Sequence, residues 1–154
     1  MVNVSDVEKA QQEWGNGIVE ISAAHSAGGD YVERARRHIE SLYAYEFGPV
    51  LFKPTFAVKK QFRTSFEGAL SYFVGGNEMY SEDNGFAIRD WTKVRFENEN
   101  IVINETTAMA MGNYFFTTTE GEEVKVDFSF GYIVDQEGNL RIQLHHSSMP
   151  ALID

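Results

Sequence analysis

Cysteine is absent from this chain of 154 residues, and proline occurs only three times. Without cysteine the protein cannot form disulfides, use a thiolate nucleophile or bind a metal through thiolate ligands. No apolar run in the sequence approaches the roughly 18 residues that a membrane-spanning helix requires. The sequence therefore argues against disulfide-stapled, thiol-dependent and membrane-spanning classes of protein.

Basic residues are also scarce: 13 lysines and arginines stand against 23 aspartates and glutamates, and the formal net charge is -10. No lysine- or arginine-rich run offsets this charge, so neither nucleic acid nor an acidic membrane surface is expected as a partner. A local pocket could still bind a small anion. The polar first ten residues do not resemble a signal or transit peptide, and the length suits one domain over residues 1–154. We therefore expect a single cytoplasmic domain.

Histidine occurs only four times, which limits the metal sites that the chain could build. His25 and His38 fall on predicted N-terminal helices, whereas His145 and His146 are adjacent on a predicted strand and should point to opposite faces. A catalytic zinc site usually has three protein ligands and an open water position, and the sequence contains no HxH or HExxH spacing to supply them. We therefore expect a site with no metal and no other cofactor.

The first half of the chain carries helix signals. Three capping-box patterns predict helix starts: Ser5 with Glu8, Asp30 with Glu33, and Thr64 with Glu67. Apolar residues recur at helical spacing in each segment, and the third segment ends at Gly75-Gly76. The sequence thus predicts three amphipathic helices, with a short strand at Val50–Phe52 before the third.

Beyond residue 86 the helical spacing of apolar residues is replaced by alternation of apolar and polar residues, which is typical of strands. Trp91–Phe96 and Ile101–Ile103 flank the polar Glu97–Asn100 stretch and are predicted to form a hairpin. Long strands at Thr107–Thr119 and Val124–Val134 follow, before a last strand that reads LRIQLHHSS. Helices followed by consecutive strands indicate an α+β fold, with three helices covering one side of a strongly twisted antiparallel sheet. A pocket is expected between the helices and the sheet.

The last strand carries the most distinctive side chains. Unbroken alternation would place His145 and Ser147 on one face and Leu144 and His146 on the other. An imidazole beside a hydroxyl suits proton transfer near neutral pH. The stretch alone favours a plainer interpretation, in which His146 is a core histidine and the serines close a turn. A single bulge would exchange the faces of the two histidines.

Six sequence blocks occur in order between Phe47 and Pro150: VLFKPT, QFRTSFEGALSYFVGG, EDNGFAIRDWTKVRFEN, AMAMGNYFFT, KVDFSFGYI and LRIQLHHSSMP. In this order they resemble the iota-class carbonic anhydrases of the nuclear transport factor 2-like superfamily, which are related to the association domain of calcium/calmodulin-dependent kinase II. The resemblance implies a cone-shaped fold and the reversible hydration of carbon dioxide to bicarbonate and a proton. With one copy of the domain, the chain is similar to the single-domain bacterial and cyanobacterial members.

The family motifs place four candidate site residues on this chain: Thr55 in KPT, Tyr72 in ALSYF, and His145 and Ser147 in HHSS. The resemblance implies an active centre inside the cone, and the histidine spacing favours one without a metal. In our hypothesis Thr55, Tyr72 and Ser147 bind and position water and the nascent bicarbonate, and His145 relays the proton. Thr64 in QFRT is a second plausible hydroxyl in place of Thr55. Without a metal to lower the pKa of water, we expect a slower enzyme than the zinc-dependent classes.

Two other functions are compatible with the same fold. An isomerase or cyclase would need a base in the cone, for which Asp127 and His145 are candidates. A non-catalytic association domain would instead form oligomers through the outer face of the sheet. The candidate interface residues are Phe115, Phe116, Phe128 and Phe130. In each case we expect a homo-oligomer, with a dimer favoured.

Overall fold

The fold is seen in a computed structural model that describes residues 1–153. The helices are α1 (Val4–Ser26), α2 (Tyr31–Leu42) and α3 (Phe66–Val74). The strands are β1 (Leu51–Lys53), β2 (Lys93–Ile103), β3 (Thr107–Thr117), β4 (Glu123–Val134) and β5 (Leu140–Ser148). The three predicted helices and the predicted α+β class are confirmed. No helix within residues 1–153 is long and apolar enough to cross a bilayer.

The five strands form one mixed sheet in the order β1-β5-β4-β3-β2. Strands β2 to β5 are an antiparallel meander, as predicted, but β1 pairs with β5 in parallel. The expectation of a wholly antiparallel sheet is therefore wrong at this edge. The parallel pairing joins residues about 90 positions apart, and local alternation carries no information on so distant a partner.

The hairpin predicted around Glu97–Asn100 is wrong, because β2 runs without a turn from Lys93 to Ile103. Its register against β3 shifts between Asn98 and Asn100, which marks a β-bulge. The side-chain amides of Asn98 and Gln11 of α1 exchange two hydrogen bonds, of 2.7 and 2.9 Å. A polar residue in mid-strand therefore docks the first helix rather than forming a turn.

The helix starts follow the predicted chemistry, with small shifts. The Asp30 side chain caps α2 by accepting a hydrogen bond from a first-turn N–H group, as predicted. At α1 the cap is Asn3 instead of Ser5, and at α3 it is Ser65 instead of Thr64. At both places two nearby side chains are able to cap a helix, so spacing alone does not choose between them.

The core lies between the helices and one face of the sheet, and it is strongly aromatic. Phe116, Phe128 and Phe130, which were candidates for an outer interface, are each about 1% exposed within this core. They alternate with outward-facing residues of β3 and β4, so their apolar face is the one that the helices cover. Phe115 is half-buried, with the Arg95 guanidinium 3.9 Å from its ring centre. The prediction that these phenylalanines form an outer interface is therefore wrong.

A bulge in β5 decides which histidine faces the core. Gln143 has no partner on β4, because the register shifts there by one residue. As a result Ile142 and His145, three positions apart, are both buried, and Ser147 follows on the same face. His146 is exposed, so its interpretation as a core histidine is wrong.

Candidate functional site

A chain of hydroxyl and imidazole groups crosses the core beneath the helices. Ser147 Oγ lies 2.7 Å from Thr55 Oγ1 and 2.5 Å from the hydroxyl oxygen of Tyr114. The Tyr114 oxygen also lies 3.0 Å from Nε2 of His145. On the other side of that ring, Nδ1 lies 2.9 Å from the hydroxyl of Tyr43. These five side chains form one hydrogen-bonded series from half-buried Thr55 to fully buried Tyr43.

Further groups extend the series at each end. At the buried end, the indole Nε1–H of Trp14 donates to the Tyr43 hydroxyl at 2.9 Å. At the outer end, the backbone N–H of Phe56, the residue after Thr55, donates to the Tyr72 hydroxyl at 3.3 Å. All four predicted site residues therefore come together, with Tyr72 and Thr55 at the outer end.

The parallel pairing of β1 with β5 brings the KPT and HHSS motifs side by side. Phe52 lies opposite His145 in the register, and their rings stack at a centroid distance of 4.7 Å. The Lys53 ammonium donates to the backbone carbonyl of Ser147 at 3.0 Å. Two residues beyond β1, Thr55 is thereby placed against the Ser147 hydroxyl.

A buried ion pair holds the segments that surround Tyr72. Arg63 is fully buried, and its guanidinium makes two hydrogen bonds to the Asp83 carboxylate, of 2.7 and 2.8 Å. It also donates to the backbone carbonyls of Lys60 and Gly68, at 2.8 and 2.9 Å. The loop after β1, the start of α3 and the loop after α3 are therefore tied to one side chain.

The titratable groups of the series favour their uncharged forms. Burial lowers the pKa of His145 well below its usual range, and repulsion from His146 and His38 acts in the same direction. Burial also raises the pKa of both Tyr43 and Tyr114. For Tyr72, burial raises the pKa to about 12, although the Phe56 N–H and Thr55 partly oppose this effect. At neutral pH the network is therefore uncharged.

A cavity of about 90 Å³ lies beside Tyr72 and is lined by Phe56, Tyr72, Arg89 and the segment Glu82–Phe86. The Arg89 guanidinium lies 5.1 Å from the ring centre of Phe56. Hydrogen bonds from backbone N–H groups, that of Lys60 first, lower the pKa of Glu82 to about 2. Those N–H groups compensate the Glu82 charge, as Arg63 does that of Asp83. The cavity could hold about three water volumes, and Arg89 gives it a cation suited to a small anion.

Two sequence-based alternatives do not reach this site. Thr64 is exposed ahead of α3, which leaves Thr55 as the hydroxyl in the network. Asp127 alternates with the core-facing residues of β4 and accepts a hydrogen bond from Asn113 at 2.7 Å, on the other face of the sheet. Within residues 1–153, no three His, Asp or Glu side chains are grouped so that they could hold a metal ion.

Sequence reasoning missed Tyr114, Tyr43 and Trp14, although each is part of the network. Tyr114 alternates with Phe116 on β3 and has the pattern of a core aromatic residue. Tyr43 follows the last turn of α2, and Trp14 lies on the apolar stripe of α1. Their alternation and helical spacing indicate burial but say nothing of where the hydroxyl or indole N–H points.

Comparisons with known proteins point to one family. The sequence model of the metal-independent carbonic anhydrase family matches residues 5–149. A metal-independent carbonic anhydrase of Nostoc sp. is 43% identical over 152 residues, which cover 97% of this chain and 74% of that relative. The solved structure of a cyanobacterial iota-carbonic anhydrase in complex with bicarbonate aligns with a TM-score of 0.97 and 42% identity, over 99% of this chain and 94% of that one.

A more distant structure shares the fold. The association domain of a calcium/calmodulin-dependent protein kinase II type protein from Xanthomonas campestris aligns with a TM-score of 0.66. The identity is 19%, and the alignment covers 99% of this chain and 91% of that one. At this identity the similarity concerns the fold alone, and it agrees with the fold expected from the sequence.

Proposed function

This chain belongs to the metal-independent carbonic anhydrase family, and we propose that its buried hydroxyl network is the site where carbon dioxide is hydrated to bicarbonate and a proton. One observation carries the assignment. Thr55, Ser147, Tyr114 and His145 form an unbroken hydrogen-bonded series that ends beside Tyr72. Such a series can hold a water molecule in one orientation and move protons as a bond forms.

The neutral state of the network restricts the mechanism. The depressed pKa of His145 and the raised pKa of Tyr72 oppose the formation of an imidazolium or a tyrosinate. A strong base that makes hydroxide before the reaction is therefore not provided by these groups. Instead, the proton leaves the water while the new carbon–oxygen bond forms.

The proposed step is a neutral proton relay through Tyr72 and Thr55. The water oxygen attacks the carbon of carbon dioxide, and the water proton passes to the Tyr72 oxygen. Tyr72 gives its own proton to Thr55, and Thr55 gives its proton to an oxygen of carbon dioxide. Each hydroxyl gains and loses one proton. One O–H bond of water and one carbon–oxygen π bond of carbon dioxide break, while one C–O single bond and one O–H bond form in the product. The product is carbonic acid, which ionises in water to bicarbonate and a proton.

The remaining groups support this relay. The Phe56 N–H donates to the Tyr72 oxygen and Ser147 hydrogen-bonds with Thr55, so both relay oxygens have fixed partners. We assign His145 the positioning of Tyr114 rather than the storage of a proton, since its buried ring disfavours the charged form. Each such hydrogen bond contributes about 1–3 kcal/mol, far less than zinc contributes by lowering the pKa of water from about 15.7 to about 7. Turnover below that of zinc enzymes is therefore expected.

The proposal is tested by stopped-flow carbon dioxide hydration with chelator-treated protein whose metal content is measured on the same sample. Activity should persist without stoichiometric metal. Ser147→Ala and Tyr72→Phe should each lower kcat/KM by roughly a hundredfold or more, because each removes a hydroxyl from the network. Ser148→Ala, at the next position of β5, and Tyr31→Phe, on α2, are the matched controls and should keep full activity. Full activity in Ser147→Ala and Tyr72→Phe would reject the site.

For the assembly, the proposal is a homodimer formed through the outer face of the sheet. One row of directly opposed residues crosses all five strands on this face: Leu51, Leu144, Gly131, Met109 and Val102. The four side chains other than glycine are between 38% and 61% exposed, and a contiguous apolar row of this kind is suited to a second copy of the same face.

Sedimentation velocity tests the assembly. The wild-type protein should sediment as a dimer, and Met109→Glu should shift it to the monomer because the variant places a carboxylate in the apolar row. Met79→Glu changes an exposed methionine outside the sheet and should leave the dimer intact. A monomeric wild type, or a dimer that withstands Met109→Glu, would exclude this face.

A further inference from the structure

The buried end of the network has a fixed direction. Trp14 and Tyr43 are 2% and 1% exposed, and the Trp14 Nε1–H lies 2.9 Å from the Tyr43 oxygen. An indole nitrogen can donate a hydrogen bond but cannot accept one. The Tyr43 oxygen is therefore the acceptor in this contact.

The remaining contact of Tyr43 then determines where His145 carries its proton. The phenol has one proton, and among residues 1–153 the neighbour positioned to accept it is Nδ1 of His145, at 2.9 Å. If Tyr43 donates, Nδ1 is unprotonated and the neutral ring has its proton on Nε2. The opposite tautomer would leave the Tyr43 proton without an acceptor inside an aromatic core, which disfavours it on the order of tenfold or more.

We propose that Trp14 and Tyr43 are positioning residues that hold His145 in the Nε2–H tautomer and thereby orient every hydrogen bond out to Thr55. The inference rests on the proposed function of the network. His145 Nε2–H donates to Tyr114, Tyr114 donates to Ser147, and Ser147 donates to Thr55, along contacts of 3.0, 2.5 and 2.7 Å.

The direction of these hydrogen bonds determines where the Thr55 proton points. Because Thr55 accepts from Ser147, its own proton is free to point toward the substrate, where negative charge develops on an oxygen of carbon dioxide. A donor already aimed at that oxygen stabilises the transition state without reorganisation. With the opposite tautomer the series could reverse, and Thr55 would direct its proton inward at Ser147.

The tautomer can be read directly from the imidazole ¹⁵N shifts of His145 in histidine-labelled protein without substrate. The wild type should show a protonated Nε2 and an unprotonated Nδ1. Tyr43→Phe removes the donor to Nδ1 and should give a mixture of tautomers, with kcat for hydration reduced on the order of tenfold and KM nearly unchanged. Tyr132→Phe, at another buried core tyrosine, is the control and should alter neither quantity.

The possible outcomes separate this inference from the proposed function. A wild-type ring protonated on Nδ1, or a Tyr43→Phe variant that keeps both the Nε2–H tautomer and full kcat, would overturn the inference. If Tyr43→Phe does not fold, the wild-type spectrum alone decides. A wild type with the Nε2–H tautomer but no hydration activity would refute the proposed function and leave the orientation of the network intact.

Discussion

Replacement of His38 by leucine should stabilise this protein, and increasingly so as the pH falls. His38 is 1% exposed on α2, and neither of its ring nitrogens has a hydrogen-bond partner among residues 1–153. The rings of Trp14, Tyr43 and Phe73 surround it at centroid distances of 5.8–6.5 Å. Burial lowers its pKa from 6.5 to about 3, with a smaller contribution from Arg34.

The size of the effect follows from linkage. The pKa of His38 in the folded protein is below that in the unfolded chain, so between these values only the unfolded chain binds the proton. Stability is therefore lost as the pH falls below about 6.5, at about 1.4 kcal/mol per pH unit. Between about pH 6.5 and about pH 4.5 the loss is about 2–3 kcal/mol. The unpaired buried ring costs about a further 1–3 kcal/mol at every pH.

Urea unfolding followed by tryptophan fluorescence measures the difference between His38→Leu and the wild type at several pH values. Subtraction removes the contribution of the carboxylates and most of that of buried His145, on which His38 has only a small effect. The difference in unfolding free energy should increase by about 2–3 kcal/mol between about pH 6.5 and about pH 4.5. His25→Leu, at an exposed histidine of α1, is the control for the loss of a histidine. A difference that does not change with pH would refute the reasoning.

Other substitutions test the buried ion pair of Arg63, the close approach of Gly17 to His38, and the cavity beside Tyr72. Arg63→Met leaves the Asp83 carboxylate buried without its partner and should lower the free energy of unfolding by about 3–5 kcal/mol; an unchanged urea midpoint would contradict this. Gly17→Ala places a Cβ 2.1 Å from Nδ1 of His38 and should lower the free energy of unfolding by about 1–3 kcal/mol. Adding His38→Ala to this variant removes the clashing ring and should restore most of that loss. Arg89→Gln should raise KM for bicarbonate roughly two- to fivefold. The kcat/KM of this variant should fall by the same factor for hydration of carbon dioxide and for dehydration of bicarbonate, because the enzyme cannot change the equilibrium between them. An unchanged KM for bicarbonate would exclude Arg89 from anion binding.

Much of the fold could be predicted from the sequence because local signals determine it. Helical spacing, capping chemistry and the change to alternation located all three helices and the meander from β3 to β5. The motifs also identified Thr55, Tyr72, His145 and Ser147, which the structure brings together. Their catalytic roles stay predictions until activity is measured on the variants.

The rest depends on contacts between residues that are distant in the sequence. The parallel pairing of β1 with β5 depends on the path of the whole chain, and the polar stretch of β2 is stabilised by Gln11 of α1. Tyr43 and Tyr114 have the spacing of ordinary core aromatic residues, because burial of the ring determines that spacing, and the spacing does not reveal the hydrogen bonds of the hydroxyl.

The bulge at Gln143 has a consequence for how the length of this strand can vary during evolution. Without Gln143, ordinary alternation would still turn Ile142 and His145 to the same side, so a residue can be gained or lost there without turning the imidazole outward. No such freedom exists between His145 and Ser147, where one insertion would rotate the serine to solvent. Insertions and deletions are therefore expected to be tolerated in β5 before His145 but not after it.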